Sequence, residues 1–258
     1  MKSVQKHLVC LLNVFPRFIV FENEARRPRN WPLEERMNGV NLDFETIRPS
    51  LPYIMEGIPT TLKVVAVAAV IGFILGILLS ILKISRIKPL NWIADFYTSI
   101  FRGTPLVLQL MLIYFGSPQI LGIQIEAFQA AFLAFGLNSA AYISEIIRGG
   151  ILAVDKGQRE AALALGVPYS SMMLNIILPQ AIKNILPSLV NELISLTKES
   201  AVVTIIGLGD IMRRSYIVGG ETYKFFEPIL FAGLIYYVMV MILTILGKVI
   251  ERRMRRSD

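Results

Sequence analysis

One cysteine, Cys10, and one histidine, His7, are all that the 258-residue chain has of either type. A single cysteine closes no internal disulfide, and a zinc or redox site needs more ligands than these two supply. The phosphate-cradling pattern G-x-x-x-x-G-K-[ST] is also missing, its nearest approach being Gly247-Lys248 followed by Val249 inside an apolar run. No G-x-S-x-G nucleophile turn occurs, and the lone His7 leaves the rest of the chain without a Ser–His or Cys–His pair. These gaps argue against an enzyme, a metal protein or a chain that binds its own cofactor.

Charge is sparse where apolar residues are dense. Val64–Leu82, Ala127–Ser144 and Pro228–Gly247 run for 19, 18 and 20 residues without a charged side chain, and 54% of the chain is hydrophobic. About 20 apolar residues cross the hydrocarbon core as a helix. Backbone groups in lipid must be satisfied within the segment, so the runs are expected to be helices. The net charge of +7 is of the size seen in nucleic-acid binders. The basic residues flank the apolar runs, however, which excludes that reading and makes them markers of membrane orientation in contact with lipid.

Each run ends in such a cluster. The first meets Lys83, Arg86 and Lys88, the second Arg148, Lys156 and Arg159, and the third Lys248, Arg252, Arg253, Arg255 and Arg256. All three ends are therefore expected on the cytoplasmic side. Parity then demands two further crossings. Thr104–Ile120 is the candidate for one. Ala181–Gly207 is the only length available for the other, despite Lys183, Glu192, Lys198 and Glu199 within it. The expectation is an all-α integral membrane protein of five transmembrane helices, N-terminus out and C-terminus in. Arg213-Arg214 fall in a predicted outer loop, against the rule, with Asp210 and Glu221 as partial offsets.

Residues 1–50 are expected to form an N-terminal extension and outer segment, 51–250 the transmembrane domain, and 251–258 a basic cytoplasmic tail. Leu8–Phe21 is broken by Asn13, Pro16 and Arg17 and is too short to span, and residues 22–36 are crowded with charge. Translation from Met37 is the expectation, with 1–36 an upstream, non-native extension; an interfacial or disordered tail is the alternative.

Between the second run and the fourth span lies Gly157–Leu165, Gly-Gln-Arg-Glu-Ala-Ala-Leu-Ala-Leu. Its alanines and leucines make a small apolar surface on a short helix. Gly166 can adopt the left-handed conformation that ends one. Val167-Pro168 restarts the chain, and Pro179 is expected to mark the turn into the next membrane helix. The product is a knob of two short helices. As a pattern, Glu160-Ala161-Ala162, Gly166, Ile176, Leu178 and Pro179 resemble the EAA loop of ABC-importer permeases, here residues 157–179, which docks on the ATP-hydrolysing subunit.

The resemblance reaches further. Phe101-Arg102-Gly103-Thr104-Pro105-Leu106, Ala141–Gly150, Asn191–Ser200 and Glu221–Pro228 are similar to segments of the polar amino-acid permeases, the histidine/glutamine/arginine branch. Roughly residues 50–250 are covered. The resemblance implies an ABC type I importer permease fold and a permease homo- or heterodimer. It also implies two ATP-binding subunits that use ATP and Mg, and an extracytoplasmic solute-binding protein, all at a bacterial inner membrane.

Two more expectations come from the residues. Gly72 and Gly76 form a G-x-x-x-G on which a neighbouring helix could pack closely. Ionisable groups at membrane depth face a partner or a wet cavity. Glu192 and Glu199, seven apart, share a helix face, with Asn191 and Ser195 nearby. Asn138, Ser139, Tyr142 and Glu145 make a polar stripe on the third span. An amino acid needs carboxylates for its ammonium and donors for its carboxylate. The substrate path is therefore expected along Asn138, Ser139, Tyr142, Asn191, Glu192, Ser195 and Glu199, while Glu145 pairs with Arg148 as an i, i+3 helix pair. A gradient-driven secondary transporter is the competing reading, against which stand the absence of an internal repeat and the odd number of spans. A structural scaffold is a third, against which stands the polar fourth span.

Overall fold

Helices account for the chain's regular structure, with no strand among the described residues. The structure is a computed structural model that describes residues 43–85 and 87–255. The expectations for Leu8–Phe21, the Met37 start, His7, Cys10, Arg86 and Arg256 lie outside those residues. Short turns over residues 44–55 lead into α1 (Gly57–Ile84), then α2 (Lys88–Gly103), α3 (Leu106–Leu121), α4 (Ala127–Leu152) and α5 (Lys156–Ala164). After them come α6 (Leu178–Glu199), α7 (Ile211–Thr222) and α8 (Phe226–Arg255). Four helical stretches are long and apolar enough to cross a membrane, and α2 with α3 makes a fifth if the bent pair is one span.

That bent pair extends one expectation. Thr104–Ile120 is the expected crossing and α3 occupies it as a helix of 16 residues, but it is long enough to span only together with α2, which it meets at a bend of 100°. Thr104 and Pro105 are both extended, with ψ of 147° and 136°. A residue before proline is pushed out of the helical region, and proline offers no N–H to carry a helix through. The loose carbonyls are gathered by one side chain, since the Gln109 amide donates to the carbonyls of Phe101 at 2.9 Å and Thr104 at 3.1 Å. Asp95 and Arg102 interrupt α2, which hides it from a search for uncharged runs.

The G-x-x-x-G expectation is met. α1 packs along α4 so closely that a Cβ on Gly72 would lie 2.9 Å from the Ser139 Cβ, and one on Gly76 2.6 Å from the Ile143 Cγ2. Around this seam Val64, Val65, Ala68, Ala130, Ala131, Ala134 and Phe135 form a buried core with Leu110 of α3. Gly76→Leu should therefore lower the thermal midpoint of the detergent-purified protein through an overpacking penalty of about 1–3 kcal/mol. Gly233→Leu, at a glycine with open space beside it, should leave the midpoint unchanged; equal midpoints for the two variants would refute the close-packing account.

Arg213 and Arg214 sit on α7, and Arg214 has a structural partner that the sequence reading did not name. Its guanidinium lies 4.6 Å from the centroid of the Tyr53 ring and donates to Glu56 at 2.8 Å. Neither Asp210 nor Glu221 is that partner. Asp210 instead caps α7, accepting from the Arg213 backbone N–H at 2.8 Å and from the Tyr236 hydroxyl at 3.1 Å. Burial pushes the Asp210 carboxyl above the usual aspartate range, and these hydrogen bonds pull it back.

Candidate functional site: a helical knob and a polar cavity

The knob begins where Asp155 caps α5, its carboxylate accepting from the Gly157 N–H at 2.7 Å. It ends in a Schellman turn. Gly166, at φ 69°, donates to the Leu163 carbonyl at 3.0 Å, and Val167 donates to the Ala162 carbonyl at 2.9 Å. The spacing from Ala162 to Gly166 is thus the spacing of that motif. Ala162 is 3% exposed and packs with Met172, Ile177 and Ala181. Glu160, Ala161 and Gly166 face outward, and beside them Leu163, Leu165 and Tyr169 are 59%, 82% and 52% exposed. The result is a small apolar face standing off the helical bundle.

The second arm of the knob differs from expectation. Pro179 makes no turn, because the helical path from Tyr169 to Ile206 is continuous over 38 residues. Met173–Ile177 is a π turn within it, and Pro179 lies at the start of α6 immediately afterwards. A proline with no N–H, and a ring that crowds the carbonyl four residues back, is accommodated by widening the turn before it. Ile176 and Leu178 are half-buried, while Pro179 is exposed.

All seven expected path residues come together. A cavity of about 360 Å³ between α4 and α6 is lined by Asn138, Tyr142, Asn191, Glu192, Ser195 and Glu199, with Ile146 and Ser188. Ser139 sits behind it and donates its hydroxyl proton to Glu192 at 2.7 Å. Both carboxylates therefore reach one space, as their seven-residue separation requires. Asn138 has a second task. Its amide donates to the Phe101 carbonyl and to Gln109 Oε1, each at 2.9 Å, which ties the α2–α3 bend to the cavity wall. Arg102, at the same bend, lies 5.5 Å from the centroid of the Tyr142 ring. The sequence reading missed Gln109 and Arg102 as neighbours of this site; the F-R-G-T-P-L segment that carries Arg102 was the available signal.

Glu145 pairs with Arg148 at 2.8 Å as the i, i+3 spacing requires, but a second partner was not foreseen. The Lys83 side chain is 3% exposed and its ammonium bonds Glu145, Asp95 at 3.1 Å and Thr98 at 2.8 Å. Lys83 is therefore a buried tie between α1, α2 and α4 rather than a free orientation charge. Removing one member of a buried pair strands the other at a penalty of about 3–5 kcal/mol. Glu145→Gln should accordingly lower the unfolding free energy by about that amount, less what Asp95 retains, and Lys83→Met in the same chain should restore most of it. A double variant as unstable as the single one would remove the pair as the cause.

Residues 48–256 match the family model described as "Binding-protein-dependent transport system inner membrane component". The arginine transport system permease protein ArtQ of Bacillus subtilis (strain 168) is 64% identical over 219 residues, covering 85% of this chain and all of that protein. A putative glutamine transport system permease protein GlnP of Rickettsia felis is 51% identical over 206 residues, covering 80% of this chain and 94% of that protein. Among solved structures, a chain of an amino acid ABC transporter crystallised with histidines superposes with a TM-score of 0.79 at 44% identity, covering 83% of this chain and 100% of that one.

Proposed function

The chain belongs to the family of binding-protein-dependent transport system inner membrane components, and from that membership we propose that it lines half of the path by which a polar amino acid crosses a bacterial inner membrane. It is a permease component of an ATP-driven importer and not an enzyme. The gradient-driven alternative has no support from relatives named as an arginine transport system permease and an amino acid ABC transporter. In this reading one of two ATP-hydrolysing subunits docks on the knob from the cytoplasm, and the pair uses ATP and Mg. An external binding protein delivers the solute, and a second permease, identical or related, closes the cavity.

The observation that carries the reading is the pair Glu192 and Glu199 on one polar cavity within a stretch long enough to span. Carboxylates are too costly to face lipid, so they face a wet path or a partner. Two negative groups suit the α-ammonium of an amino acid and a cationic side chain, which favours arginine over glutamine as cargo, histidine being largely neutral near pH 7. The coupling residues are Glu160, Ala161, Ala162, Gly166, Ile176, Leu178 and Pro179, and the Lys and Arg clusters beside the knob support its placement in the cytoplasm.

The test is uptake of labelled arginine, histidine and glutamine into vesicles carrying this chain with its ATPase and binding protein. Uptake should stop without internal ATP or without the ATPase subunit. Uptake by the chain alone, driven by an ion gradient, would sink the reading.

A further inference from the structure

The π turn at Met173–Ile177 lies between the knob and the cavity, and the I-x-L-P tail of the motif falls on it. The Leu178 N–H reaches back five residues to the Met173 carbonyl. Pro179 has no N–H to give to any carbonyl below. The Gln180 side-chain amide bends back to the Ile176 carbonyl at 2.8 Å, taking up an acceptor in the widened turn. Leu178 thus makes the wide bond, Pro179 withholds the N–H that would close an ordinary turn, and Ile176 offers the carbonyl that Gln180 satisfies.

On the knob side, Ala162 and Met172 belong to a buried cluster that also takes in Ile177 of the turn and Ala181 beyond it. Beyond the turn α6 continues as one helix, with Pro187 inside it, to Glu199, which places Glu192 and Glu199 about 20 Å and 30 Å from Pro179 at 1.5 Å per residue. A wide turn holds one residue more than an α turn. Closing it slips the register by one residue, and one residue is about 100° around the axis. α6 would carry that rotation along its length and turn Glu192 away from Ser139. The far end is built to accept it. Ser200–Ile206 is a 3₁₀ segment of seven residues, where such runs seldom exceed three or four and tend to mark hinges.

We propose that the π turn before Pro179 is the joint of the coupling machinery, an open register that closes when the knob is pushed and thereby rotates the carboxylate face of α6. Ile176, Leu178 and Pro179 are then positioning residues for the joint rather than contacts for the ATPase, and Gln180 joins them. This rests on the importer reading above.

The experiment is hydrogen exchange on the wild-type complex of chain, ATPase and binding protein in nanodiscs, nucleotide-free against ATP-trapped, with uptake per ATP hydrolysed measured on the same preparation. The peptide covering residues 172–180 should exchange at least threefold more slowly when trapped, while a peptide within α4 stays constant. Equal exchange of 172–180 in the two states overturns the joint. Pro179→Ala, which restores the N–H, should lower uptake per ATP at least tenfold, whereas Pro118→Ala, at the proline inside α3, should leave the ratio at the wild-type value. A wild-type ratio for Pro179→Ala also overturns the joint; if that variant fails to assemble, the exchange result on the wild type decides. A wild-type complex without ATP-dependent uptake refutes the importer reading itself, and is distinct from a working importer whose 172–180 peptide is unmoved.

Discussion

Gly166→Val is expected to cut ATP-driven uptake at least tenfold and to lose the ATPase on co-purification, while Gly166→Asn retains most of both. The argument separates conformation from space. A Cβ at Gly166 meets nothing within 4 Å, so no substitution clashes within this chain. The backbone, however, stands at φ 69°. That region costs an L-residue roughly 1–2 kcal/mol, most for β-branched side chains and least for asparagine, whose short polar group is tolerated there. Valine should draw the residue out of the left-handed region and break the two bonds from Gly166 and Val167 that close α5. Leu163 and Leu165, the exposed apolar residues of the knob, then lose their fixed presentation. The membrane domain should remain folded, since the nearest buried member of its cluster, Ala162, packs through Met172 and Ile177. Affinity pull-down of the ATPase with tagged permease, alongside uptake, checks the result. Valine and asparagine variants that behave alike would show that the left-handed turn is not what the knob requires.

Spans were legible where apolar runs were uninterrupted, and a close approach on α1 was legible from Gly72 and Gly76, although not that α4 makes it. Both are local signals, a length and a spacing. The left-handed turn at Gly166 was legible for the same reason, because a Schellman motif lies within six residues. The grouping of Glu192 with Glu199 followed from helical periodicity, and their meeting with Asn138 and Tyr142 from the need to cover charge at membrane depth. Other features depended on partners distant in the chain. Lys83 reads as a flanking basic residue until Glu145, 62 residues on, is seen beside it. Asn138 reads as a path residue until Phe101 and Gln109 are seen to hold its amide. Pro179 reads as a turn because proline ends many helices, yet here the helical path continues through it with a π turn immediately before it.

Glu192→Gln and Glu199→Gln should each lower arginine uptake at least tenfold, a change of about 1.4 kcal/mol or more in the barrier, with complex assembly unchanged. Glutamine keeps the size of the side chain and one acceptor oxygen, so the Ser139 hydroxyl at 2.7 Å from Glu192 still finds a partner and the cavity keeps its shape. What is lost is negative charge on the wall of the polar cavity, and with it the attraction for a cation passing within a few ångströms. The two carboxylates share the space, so the second substitution should add less than the first. The effect should also depend on cargo. Arginine carries two cationic groups against one in glutamine, and the arginine-to-glutamine uptake ratio should fall in both variants. Ser139→Ala, which removes one hydrogen bond and leaves the charge, should lower uptake only a few-fold, consistent with about 1.5–3 kcal/mol for a charge-assisted bond offset by water entering in its place. Wild-type uptake in both glutamine variants would take the cavity off the path, and an equal loss for every cargo would assign the carboxylates to motion of α6 rather than to recognition.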